Sequence, residues 1–156
     1  MHLLTFFQWL SHSSLGQFMQ KSVWAFAVAE TVHLIALASL GGALLVIHLS
    51  FLFAWKRTEP QKLASGLLPI VLISLIGMVM TGVLMVSEEA LKCYYSPAFR
   101  AKMAALVISI VLYFTITAIQ KSTSSIQTPW WVRAGAAISL LSWLSVGLAG
   151  RAIGLL

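Results

Sequence analysis

Residues 24–53 read WAFAVAETVHLIALASLGGALLVIHLSFLF, and this stretch decides the fold. A helix rises about 1.5 Å per residue, so about 20 apolar residues cross the roughly 30 Å hydrocarbon core of a bilayer. The run is longer than that and carries only three ionisable side chains, Glu30, His33 and His48. It therefore reads as a membrane span that tilts or projects, closed by Trp55-Lys56-Arg57 and Pro60.

Three further apolar blocks follow, at about 63–86, 102–119 and 130–155. Pro69 is tolerable near the start of its block. Ser87-Glu88-Glu89 closes the same block, and Pro129 with Trp130-Trp131 opens the last one. Hydrophobic residues make up 60% of the 156 positions and charged residues 9%, against about 25% charged in a soluble domain. Residues 1–156 are accordingly expected to form a single membrane domain. The expected fold class is all-α, an integral membrane four-helix up-down bundle, since short loops make consecutive helices antiparallel neighbours. Residues 2–21 mix Phe6, Phe7, Trp9 and Phe18 with Ser, Gln and His. They are too short an apolar run to span, and suit a short interfacial helix or an ordered tail packed on the bundle. The first ten residues lack a basic region and a small-residue cleavage site, so they are expected to be retained.

The net charge of +6 does not point to nucleic acid. Its basic residues lie between the apolar blocks, where they meet anionic headgroups. Four spans put both termini and the 87–102 loop on one side, and loops 56–62 and 120–133 on the other. Lys56, Arg57, Lys62, Lys121 and Arg133 balance Lys21, Lys92, Arg100, Lys102 and Arg151. This near-tie leans toward a cytoplasmic 56–62 loop. The one cysteine, Cys93, rules out an internal disulfide. There is no Asp for a Ser–His–Asp arrangement and no phosphate-cradling glycine loop; these patterns leave enzyme activity open and lean against catalysis by the chain on its own.

Lipid gives helices no hydrophobic reason to associate, so small and polar residues must supply the contacts. Gly135, Ser139, Ser142, Gly147, Gly150 and Gly154 provide them in the fourth block. Ser74, Gly77, Thr81 and Gly82 do so in the second, and Gly41 and Gly42 in the first. Close helix packing is the main reading; a ligand lying against the glycines is the alternative.

An ionisable group at the centre of a span costs roughly 2.5–3.5 kcal/mol. At about 100° per residue, Glu30 and His48 fall at the same angle, with His33 about 60° away. This predicts one interior stripe. Glu30-x-x-His33 is a spacing at which carboxylate and imidazole reach a common point. It admits metal ligation, proton relay, or structural pairing of Glu30 with Arg151 or Lys102. A di-metal bundle would need a second such pair, which the other blocks lack. His33 and His48 lie about 22 Å apart along the helix, a separation that suits two b-type haems. Each haem needs another axial ligand: Met78, Met80 or Met85, His2 or His12, or the same histidine of a second copy. Arg151 falls at the same membrane face as Glu88, Glu89, Arg100 and Lys102, so polar chemistry concentrates at one end.

The segments ETVHLIALASLGGALLVIHLSFL, TGVLMVSEEALKCYYSPAFRAKMAAL and SVGLAGRAIG resemble a family of small bacterial four-span membrane proteins of unassigned function, distantly like the copper-resistance-D and cytochrome-b561-like groups. The resemblance covers most of residues 24–156. It implies weight on Glu30, His33, Gly42, Gly82, Pro97, Phe99, Lys102, Gly150 and Arg151. His48 departs from it, since an acid is more usual there, and the third block lacks a histidine that haem-binding relatives would need.

These readings give an expected multi-pass protein of the bacterial inner (cytoplasmic) membrane with a redox-linked or metal-linked role. The expected metal ligands are Glu30 and His33. His33, His48, Lys102 and Arg151 are the expected cofactor-binding residues, for a b-type haem or a metal ion, with the cations facing an anionic group. A non-catalytic anchor or assembly subunit and a small transporter or channel are the alternatives. Expected partners are the bilayer and either further copies of the chain or a larger membrane complex.

Overall fold

The computed structural model describes residues 2–53, 60–122 and 130–153, with side-chain surroundings for 4–53, 60–119 and 130–147. Lys56, Arg57, Pro129 and Gly154 lie outside the described residues, as do the side chains of His2, Lys121 and Arg151 and the surroundings of Gly150.

Every element is helical: α1 (His2–His12), α2 (Ser14–Lys21), α3 (Val23–Phe53), α4 (Pro60–Glu88), α5 (Ala90–Tyr95), α6 (Pro97–Ser122) and α7 (Trp130–Ile153). Three of them, α3, α4 and α6, are long and apolar enough to cross a membrane. The surface is inverted relative to a soluble domain. Ile73 is 71% exposed, whereas Ser87, Ser109 and Ser139 are fully buried. Large apolar side chains facing outward and small polar ones facing inward suit hydrocarbon as the solvent. This is a membrane protein.

The second and third blocks start earlier than sequence patterning predicts, whereas α7 begins at Trp130 as expected. The third apolar block begins at Pro97 rather than 102, because Ser96 caps the helix and Pro97 takes its first position. Ser96 Oγ accepts from Phe99 N at 3.2 Å, and a proline at the first helical position sacrifices no hydrogen bond. The second block likewise begins at Pro60. The N-terminal segment forms two helices rather than one. Ser13 divides them, with Oγ donating to Leu10 O at 2.6 Å and accepting from Gly16 N at 3.1 Å. Ser22 then caps α3 by accepting from Ala25 N at 3.2 Å.

The long helices form two antiparallel hairpins. In α3–α4, Ala36 lies against Gly77 while His33 lies against Gly82 and Thr81. In α6–α7, Ile116 lies against Gly135 while Ser109 bonds Ser142. The hairpins meet mainly through α3 and α7, and α4 touches α6 only sparsely. Most burial on α3 runs from Leu40 to Phe51, with Ala29 the one fully buried residue before it. The apolar core is correspondingly centred on Leu40, Leu44, Ile47 and Phe51 with Val71, Tyr113, Val132 and Ala136.

The end of the bundle bearing α1, α2 and α5 is joined by rings and backbone contact. Phe7 packs between Tyr94 and Phe99, with ring centres 5.6 and 6.5 Å away. Gln20 Nε2 donates to Glu88 O at 3.1 Å. Gly16 permits the approach: a Cβ there would stand 2.6 Å from Leu10 O, 2.7 Å from Ser11 O and 3.0 Å from Ser87 O. All three are backbone atoms and cannot swing aside. Gly16→Ala is therefore expected to cost about 1–3 kcal/mol and to raise hydrogen exchange across α1 and α2. Gly41→Ala, whose Cβ would meet nothing within 4 Å, is expected to leave both unchanged.

Candidate functional site

Side-chain hydroxyls inside the helices return mostly to their own backbone, as with Ser50 to Ile47 O, Ser87 to Leu84 O and Thr117 to Tyr113 O. Contacts such as His33–Thr81, His48–Ser139 and Ser109–Ser142 instead bridge different long helices, and two of these involve the histidines predicted from sequence.

His33, half-buried on α3, places Nδ1 2.8 Å from Thr81 Oγ1 on α4. Thr81 Oγ1 donates its proton to Gly77 O at 2.7 Å. It therefore accepts from His33, and the proton of the imidazole sits on Nδ1. The Met78 backbone also hydrogen-bonds this imidazole. Gly82 packs close to this ring, its would-be Cβ lying 3.6 Å from His33 Cε1. Lys102 at the start of α6, itself half-buried, stands within electrostatic reach of both His33 and Cys93.

His48 is in a different situation. It is 2% exposed, its Nδ1 donates to Leu44 O at 2.6 Å, and its Nε2 accepts from Ser139 Oγ on α7 at 2.9 Å. Both nitrogens are occupied, and the Tyr113 ring lies 6.3 Å away. In this arrangement His48 holds α3 to α7 and offers no nitrogen to a haem or metal.

Glu30 does not join the interior stripe expected from its helical angle. It is exposed and makes no ion pair or hydrogen bond among the described residues, Lys102 included. The angular reading assumed that one side of α3 is covered along its whole length. The second hairpin instead covers chiefly the C-terminal half, so the angle that buries His48 leaves Glu30 open. Among the described residues no three His, Cys, Asp or Glu side chains converge as a metal group would require. Of the expected site residues, the fold brings His33 and Lys102 to one end. His48 lies deep in the core and Glu30 on the outer surface of α3.

Two features escaped sequence reasoning. Thr81 and Ser139 were legible only as small packing residues, yet they orient the two imidazoles; their signal was a hydroxyl in an otherwise apolar run. Trp143 lies one turn beyond Ser139 and packs against the core, its Nε1 buried without a hydrogen-bond partner among the described residues. Cys93, on α5 outside the long helices, is half-buried. Its thiol is pushed up, first by burial and then by the Glu89 carboxylate.

The fold and its inverted surface define an all-helical membrane protein, and comparison with known families refines this. Residues 6–156 match the model of DUF6644, a family of unknown function, and the chain belongs to that family. No curated protein and no solved structure matches it, so the expected kinship with copper-resistance-D and cytochrome-b561-like proteins gains no support.

Two outcomes follow from these contacts. Ser139→Ala strips a buried acceptor of its donor and is expected to cost about 1–3 kcal/mol, read as a lower melting temperature in detergent. Ser145→Ala removes a hydroxyl that bonds only to Ser142 O and is expected to stay within about 0.5 kcal/mol. Maleimide labelling of Cys93 should be slower than that of a free thiol at neutral pH. It should rise as pH passes above the ordinary thiol range, because the thiolate is the reactive form.

Proposed function

We propose that this chain is a four-span protein of the bacterial cytoplasmic membrane in which His33 binds a redox-active group or metal ion, with Lys102 facing its anionic part. The observation that carries this reading is the 2.8 Å contact of His33 Nδ1 with Thr81 Oγ1. A hydrogen bond to one ring nitrogen is how ligand histidines are oriented so that the other can face a metal or cofactor. Among the described residues no three His, Cys, Asp or Glu side chains converge on a common point, so a metal ion would draw further ligands from a second copy or a partner chain. Arg100 and Arg151 would add positive charge at the same end. A haem propionate, a quinone oxygen or a lipid headgroup suits that chemistry.

The α7 helix is taken as the fourth span because its 24 residues equal those of a crossing helix in length and it pairs with α6 throughout. A second reading, a non-catalytic assembly subunit, is favoured by Gly41 and Gly42. They are exposed on α3, and a Cβ at either would meet nothing within 4 Å among the described residues, which leaves a smooth strip for another helix.

The absorbance spectrum and metal content of protein purified from membranes test the first reading. A Soret band or bound metal is expected, abolished in His33→Ala. Thr81→Val should weaken affinity about 10–100-fold. A colourless, metal-free protein that co-purifies with a stoichiometric partner would favour the assembly role instead.

A further inference from the structure

A groove of about 510 Å3 opens sideways between α2, α3 and α4. Phe18 and Met19 form its α2 wall, Ala25, Ala29 and Val32 its α3 wall, and Leu84 closes it on α4. His33 is not among these walls. The polar side chains that reach it are Ser22 and Thr81, and each is already engaged by the protein. Ser22 Oγ accepts from Ala25 N, while Thr81 Oγ1 donates to Gly77 O and contacts His33 Nδ1. The remaining walls are apolar, which suits hydrocarbon as the occupant.

A packed helix 10–12 Å across fills about 500 Å3 per turn. The groove would hold a single turn, which is too little to seat a partner helix. A flexible chain fits it better. Burial there gains little hydrophobic free energy for a lipid tail already in hydrocarbon, so retention must come from a headgroup contact and from cover. Lys21 supplies the contact. It is the exposed last residue of α2, one turn from Phe18, beside Ser22 at the groove. Trp24, also a wall residue, is 84% exposed and suits headgroup depth. The α2 helix supplies the cover, pinned over the end of α4 by Gly16 and Gln20.

We propose that this groove holds one acyl chain of an anionic phospholipid whose phosphate sits at Lys21. The inference is independent of any ligand at His33. Native mass spectrometry tests it, on the full chain exchanged in mild detergent with equal phosphatidylglycerol and phosphatidylcholine. One retained phospholipid per chain is expected, with a phosphatidylglycerol preference of about fivefold, the size of one lysine near an anionic surface. Ala29→Phe and, separately, Val32→Trp fill the groove and should each reduce retention at least tenfold. Lys21→Gln, a surface change that leaves the fold alone, should keep the lipid and erase the preference. Val83→Phe, on an exposed face of α4 outside the groove, should behave as the unaltered protein. Wild-type protein free of lipid, full retention in both filled variants, or a preference unmoved by Lys21→Gln would each overturn the proposal.

Discussion

Hydrocarbon solvates exposed apolar side chains as well as a protein core does, so burying leucine cannot hold these helices together. What lipid cannot replace is a hydrogen bond. The long helices are linked in the order α4–α3–α7–α6 by polar side-chain contacts: His33 with Thr81, His48 with Ser139, and Ser109 with Ser142 at 2.7 Å. Each such bond contributes about 0.6 kcal/mol on average and rarely more than 1–2. Its larger role is directional, since each fixes the rotation of both helices about their axes. The glycines and alanines at the same junctions, such as Ala36 against Gly77, then let the backbones close to the distance these short side chains require.

The two histidines illustrate how one residue type takes two roles in a single helix. His48 spends both nitrogens on protein partners inside the most tightly packed part of the bundle, and so behaves as a structural bolt. His33 is tied through Nδ1 to the Thr81 hydroxyl and is only half-buried, at the end where the hairpins cover one another less. Packing density therefore differs along α3. The closed half supplies stability, and the half-open end leaves an imidazole near a lysine.

The same end carries the aromatic cluster of Phe7, Tyr94 and Phe99, the capped start of α6 and the two short N-terminal helices. These elements bury few side chains, Leu10, Met19 and Ala90 among them, and depend on backbone fit at Gly16 and on ring contacts. An end assembled in this way can accept a ligand or partner without disturbing the core around Leu40 and Ile47, and this separation gives the proposed His33 site its plausibility.

Apolar run length alone determined that the chain is helical and lives in a membrane, because the thickness of a bilayer converts directly into a residue count. The presence of costly groups was equally legible, since Glu30, His33 and His48 interrupt a run that tolerates few such residues. Which of them turns inward was not. Helical angle gave Glu30 and His48 the same direction, but direction becomes burial only where another helix passes, and the crossing of α7 over the later part of α3 is a property of the assembled bundle. The roles of Thr81 and Ser139 were hidden for the same reason. A hydroxyl in an apolar helix can bond its own backbone or a neighbour's imidazole, and only tertiary contact decides between them.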